Sequence, residues 1–64
     1  MDITQVIYEE DFEVNYKTQI GWFKAIRSNQ GWYLYFGQEY LGTFLDTDKC
    51  KEHVENLKTS TDSI

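Results

Sequence analysis

The pattern of apolar and polar positions changes once along the chain. Phe12-Glu13-Val14-Asn15-Tyr16 alternates strictly, the period of a half-buried strand. Upstream, Thr4-Gln5-Val6-Ile7-Tyr8 is β-prone without clean alternation, and Glu9-Glu10-Asp11 interrupts it; strand, extension and short helix all fit residues 3–8. Ile20-Gly21-Trp22-Phe23-Lys24-Ala25-Ile26-Arg27 is rich in β-branched and aromatic residues and ends in Ser28-Asn29-Gln30-Gly31, a turn composition. Trp32-Tyr33-Leu34-Tyr35-Phe36, Gly37-Gln38-Glu39 and Tyr40-Leu41-Gly42-Thr43-Phe44-Leu45 follow. Residues 20–45 therefore read as an antiparallel meander, and no Pro interrupts its ladders.

After Leu45 the period becomes helical. Cys50, Val54 and Leu57 fall at i, i+4 and i+7, with His53 beside them on the same stripe. Asp46 or Thr47 supplies a cap, and Asp48 and Lys58 suit the two ends of the helix dipole. The sequence predicts strands near 12–16, 20–28, 32–37 and 40–45 and a helix near 47–58. The fold class is α+β, a small three- to four-stranded antiparallel β-meander with one C-terminal helix packed on one face. Residues 1–58 form one domain, and residues 59–64, which lack any period, form a frayed tail.

Alternation assigns Trp32, Leu34 and Phe36 to the helix side and Tyr33 and Tyr35 to the other. A four-residue loop at 28–31 adds Phe23 and Ala25 to the helix side and leaves Trp22, Lys24 and Ile26 beside the tyrosines. That face is an aromatic surface carrying a base, and the N-terminal segment is the element available to cover it. The register at 37–39 stays open. A two-residue turn at Gly37-Gln38 pairs Leu34 with Leu41, whereas a three-residue loop pairs Leu34 with Gly42 and Trp32 with Phe44.

Composition explains how so short a chain builds a core. Two Trp, five Tyr and four Phe among 64 residues bring large apolar area per residue. The single cysteine, Cys50, excludes an intramolecular disulfide and favours a reducing compartment. The N-terminus has neither a basic region nor an apolar run, so no signal peptide or membrane span is expected, and the expected location is intracellular, in the cytoplasm. The formal charge of −5 is unevenly placed. Residues 1–16 hold five acids and no base, including the cluster Glu9, Glu10, Asp11 and Glu13, whereas Lys17, Lys24 and Arg27 oppose Glu39 alone over residues 17–45.

Little in the chain has the spacing of catalysis. Cys50 and His53 sit on the packed stripe, where Cys behaves as a small hydrophobe, and no further Cys or His completes a metal site. The acidic cluster matches no calcium loop, and the single glycines at 21, 31, 37 and 42 cradle no phosphate. No enzyme activity, cofactor or metal is expected.

Leu41-Gly42-Thr43-Phe44, followed by Asp46-Thr47 and a helix, resembles the end of an APETALA2-type DNA-binding domain and the similar arm-binding domains of some phage integrases. Trp22-Phe23-Lys24-Ala25-Ile26-Arg27 is similar to a strand of that family. The likeness covers residues 20–58 and implies a three-stranded sheet leading into a helix, with Gly42 letting the helix approach the sheet. It also implies DNA reading from the strands; here only Lys24 and Arg27 hold comparable basic positions, and Leu45 is an insertion.

Two functions follow as expectations. The first is a small acidic protein-binding module, a regulator or inhibitor such as phages encode, that meets a basic surface of a partner protein. Its contact residues are the acids Glu9, Glu10, Asp11 and Glu13 and the sheet-face residues Trp22, Lys24, Arg27, Tyr33 and Tyr35; a homodimer through the open face belongs to the same reading. The second is a nucleic-acid-binding domain that stacks bases on the open face, a reading the acidic charge opposes. No membrane contact is expected.

Overall fold

The computed structural model describes residues 1–57. Five strands, β1 (Ile3–Glu9), β2 (Glu13–Thr18), β3 (Gly21–Ser28), β4 (Gly31–Phe36) and β5 (Glu39–Phe44), precede one helix, α1 (Thr47–Asn56). The strands form a single antiparallel sheet in sequence order, and α1 packs on one face of it. Lys58 and the expected tail at 59–64 lie outside the described residues.

The expectation of three to four strands is corrected to five. The N-terminal segment forms an edge strand in the plane of the sheet and does not lie across the open face. Its alternation is irregular for a local reason. Ile3 pairs with Thr18 but Gln5 pairs with Lys17, so the register shifts by one around Thr4. The shift puts Ile3 and Val6, three residues apart, against the same core. A period-2 reading cannot see a strand whose phase changes midway. Phe12 is also corrected: it belongs to the loop between β1 and β2, half exposed, and β2 starts at Glu13.

The core lies between α1 and the middle strands. Val14, Tyr16, Phe23, Ala25, Leu34, Cys50 and Val54 are buried, and Trp32, Phe36, Leu41, Phe44 and Leu57 close around them. The Phe23 and Phe36 rings, a cross-strand pair, stand 4.6 Å apart. Asp46 caps α1 by accepting a 2.9 Å hydrogen bond from the Lys49 N–H. The Tyr16 hydroxyl donates to the Thr47 carbonyl at 2.9 Å and ties the first turn of α1 to β2. At the other end, the Met1 amine donates to the carbonyls of Glu55 and Leu57, two of the acceptors a helix end leaves free. α1 is thus fixed at both ends, which a helix of ten residues needs to persist.

Two of the tight turns use one device. Thr18 accepts from the Ile20 N–H and donates to the Gly21 carbonyl, and Ser28 does the same with Gln30 and Gly31. Gly31 has φ of 126° and backs onto β5, where an added Cβ would collide with the Phe44 carbonyl oxygen. A side chain there is excluded by both conformation and space. Gly42, by contrast, faces the Phe44 ring and not the helix, so the close helix approach expected at that position is not its role.

The register at 37–39 joins features of both alternatives. Phe36 pairs with Glu39 around a two-residue turn at Gly37-Gln38, yet Leu34 pairs with Gly42 and Trp32 with Phe44. A bulge at Leu41 absorbs the extra residue. Tyr40 and Thr43 therefore keep to one face while Leu41 packs on the core.

Candidate interaction surface

Cross-strand partners share a face, so the pairing defines the uncovered side row by row. The row nearest the β1–β2 loop holds Glu9, Glu13, Ile26, Tyr33 and Thr43. The middle row holds Ile7, Asn15, Lys24, Tyr35 and Tyr40. The far row holds Gln5, Lys17 and Trp22. No element of the described residues crosses this face.

Its β4–β5 side and the far row of β3 are aromatic, with Lys24 between them. Trp22 is 41% exposed and Tyr40 55%. Tyr40 stands edge-on to Tyr33 with centroids 5.9 Å apart and lies 5.7 Å from Tyr35, while its hydroxyl bonds that of Thr43. The three tyrosines thus hold one another in place without a covering layer, as a preformed platform requires. The Lys17 ammonium sits 5.9 Å from the centroid of the Trp22 ring, a cation–π contact across the strand pair. Lys24 has Asn15 on one side and Tyr35 on the other, so no carboxylate is its cross-strand neighbour. Asn15 turns its amide to the Glu13 carboxylate, 3.0 Å away.

The acidic residues divide between this face and the loop beside it. Glu9 and Glu13 pair directly across β1 and β2, which brings two like charges together. Glu10 and Asp11 belong to the loop, where Glu10 has φ of 58°, a left-handed conformation that a side chain makes unfavourable. Tyr8, 70% exposed, and Phe12 flank the same loop. The loop is held at its base by the Arg27 N–H, which donates to the Phe12 carbonyl at 2.8 Å.

Of the residues singled out from sequence, Trp22, Lys24, Tyr33 and Tyr35 share the open face with Glu9 and Glu13. Arg27 does not. It pairs with Trp32, in phase with Phe23 and Ala25, and so belongs to the helix side of the sheet. Lys17, Tyr40 and Ile7 are additions. The polar phase Glu13, Asn15, Lys17 within β2 was a usable signal for Lys17, whereas Tyr40 was hidden by the unresolved register.

Cys50 and His53 play packing parts. Cys50 is fully buried, and burial, with Asp46 adding to it, pushes its thiol up to about 11. A nucleophilic thiolate is therefore scarce near neutral pH. The His53 ring lies 5.1 Å from that of Phe44, at the edge of the core. Among the described residues no pocket forms in the surface, no cluster of three or more His, Cys, Asp or Glu gathers as metal ligands, and no helix is long and apolar enough to cross a membrane. No family model, curated protein or solved structure matches the chain.

Proposed function

We propose that this protein is a non-catalytic protein-binding module whose contact surface is the open face of the sheet together with its acidic end. The observation that carries the reading is the uncovered set of Trp22, Tyr33, Tyr35 and Tyr40 on the open side of a five-stranded sheet. Aromatic anchors of this kind supply most of the energy in protein interfaces once they are desolvated. Glu9, Glu13 and the loop acids Glu10 and Asp11 add a negative rim at one end, which orients a partner with a basic patch and speeds encounter. A regulator or inhibitor working by occupancy inside the cell needs no more chemistry than this.

Nucleic-acid binding by the same face is the competing reading, and Lys17 and Lys24 among the aromatics favour it. The APETALA2-type likeness reduces to an antiparallel sheet followed by a helix. Against it stand Glu9 and Glu13 on the same face, and Arg27 on the opposite one.

One experiment separates them. Immobilised protein, challenged with nuclease-treated lysate, is expected to retain a protein partner that Trp22→Ala and Tyr35→Ala release. Replacing Glu9, Glu10 and Glu13 by Lys should weaken retention and flatten its salt dependence. Binding of DNA or RNA oligonucleotides that the triple replacement strengthens would overturn the proposal.

A further inference from the structure

The open face carries charge of both signs in an ordered arrangement. Its acids, Glu9 and Glu13, occupy the row beside the β1–β2 loop. Its bases, Lys24 and Lys17, occupy the middle and far rows, displaced both along the strands and across them. Within β2 alone the order is Glu13, Asn15, Lys17, with a neutral amide at the midpoint. Glu13 and Lys17 stand about 13 Å apart, from a rise of about 3.3 Å per residue. Such a pattern is self-complementary. A two-fold axis lying in the plane of contact, passing near Asn15 and crossing the strands obliquely, exchanges the two sets of charges. With strands about 4.8 Å apart, Lys24 then falls over Glu13 of the second copy and Lys17 over Glu9. The same operation brings the two Tyr33 rings together.

We infer that the partner of the open face is a second copy of this chain, docked face to face in an isologous dimer held by Lys24–Glu13 and Lys17–Glu9 pairs around Tyr33. This rests on the reading of the open face as a protein-binding surface and supplies the basic patch that the acidic row requires. Three features favour it. Glu9 and Glu13 repel each other in the isolated chain, and a lysine from a second copy relieves that. Lys24 has no acidic cross-strand neighbour within its own chain. The two sheet edges suit strand addition poorly, because β1 shifts register around Thr4 and the β4–β5 pairing around Leu41, as protected edges do. The size sets the strength: five strands at about 4.8 Å and rows spanning about 13 Å offer about 300 Å² per copy, or about 600 Å² in all. That lies below the range of permanent interfaces, so the dimer is weak and concentration-dependent, with a dissociation constant on the order of 100 μM.

Sedimentation equilibrium of the purified protein, from about 1 μM to about 1 mM, tests this. The wild type should pass from monomer to dimer. Lys17→Glu with Lys24→Glu should raise the dissociation constant at least about tenfold, and so should Glu9→Lys with Glu13→Lys. Combining all four replacements should restore association to within about threefold of the wild type, because the pairs are re-formed with their signs exchanged. Circular dichroism of each variant identifies any that fails to fold, and Lys17→Gln with Lys24→Gln then replaces it with the same expected direction. A wild type that stays monomeric at 1 mM overturns the inference, as does a dimer that the reversals leave unchanged or the fourfold exchange fails to restore. If the protein is monomeric but Trp22→Ala and Tyr35→Ala still release a partner from lysate, the dimer is wrong and the protein-binding reading stands. If these variants change neither measurement, both are wrong.

Discussion

The two faces of this sheet come from the same strands, and residues one position apart have opposite fates. Phe23 is 2% exposed and its neighbour Trp22 is 41% exposed; Leu34 is fully buried and Tyr35 is half-buried on the other side. The covered face is aliphatic and aromatic, sealed by Cys50 and Val54 of α1. The open face places tyrosines and a tryptophan beside lysines, glutamates and an asparagine. Stability asks for the first composition alone. The second retains large apolar area in water, and in so small a domain that area is available for association because the other face already supplies the core.

Truncating adjacent residues separates the two faces. Leu34→Ala should cost about 2–5 kcal/mol in urea unfolding, since it opens a cavity in a core with no slack. Tyr35→Ala should cost about 1 kcal/mol or less, the range of a cross-strand pair. Equal losses would mean that both faces are structural.

Alkaline pH probes the covered face by another route. Burial pushes the Cys50 thiol up to about 11 from an ordinary 9.0, and burial, together with the nearby Cys50, raises the Tyr16 phenol as well. Both groups are neutral when protonated, and the unfolded chain gives up its protons first. Stability should therefore be complete below about pH 9 and fall as pH rises through 11, by at most about 1.4 kcal/mol per pH unit for each group. Thermal melts of Cys50→Ala should lack the thiol's share of that slope.

Removing the Asp46 cap by Asp46→Ala should cost about 1 kcal/mol, because the Lys49 N–H loses its acceptor. A change that touches neither face is smaller still. Glu10→Gly relaxes the left-handed residue of the β1–β2 loop and should stabilise the fold by a few tenths of a kcal/mol, the gain in φ being offset by a freer unfolded chain.

Much of the covered face was legible in the sequence because its signals are local. Period 2 over residues 32–36 and the i, i+4 step from Cys50 to Val54 both report which side is apolar, and the structure buries Leu34, Cys50 and Val54 and packs Trp32 and Phe36 against them. The missing pieces arise where phase breaks. The register shift around Thr4 hid β1, and the bulge at Leu41 let both hairpin alternatives contribute, so Tyr40 was not placed on the open face. Arg27 lies on the helix side, in phase with Phe23 and Ala25, although its charge groups it with the open face in the sequence reading. The open face is written in cross-strand pairs such as Lys17 with Trp22, which no linear period contains.

The most direct test of the two-face account uses the two tryptophans, since Trp22 is on the open face and Trp32, paired with Phe44, is on the covered one. In a Trp32→Phe protein the emission of Trp22 is followed by dilution from about 1 mM to about 1 μM, and in a Trp22→Phe protein that of Trp32 over the same range. The account predicts that Trp22 shifts to longer wavelength and becomes more open to iodide quenching as copies separate, while Trp32 stays constant. A Trp22 signal that stays steady, or a Trp32 signal that moves, would contradict it.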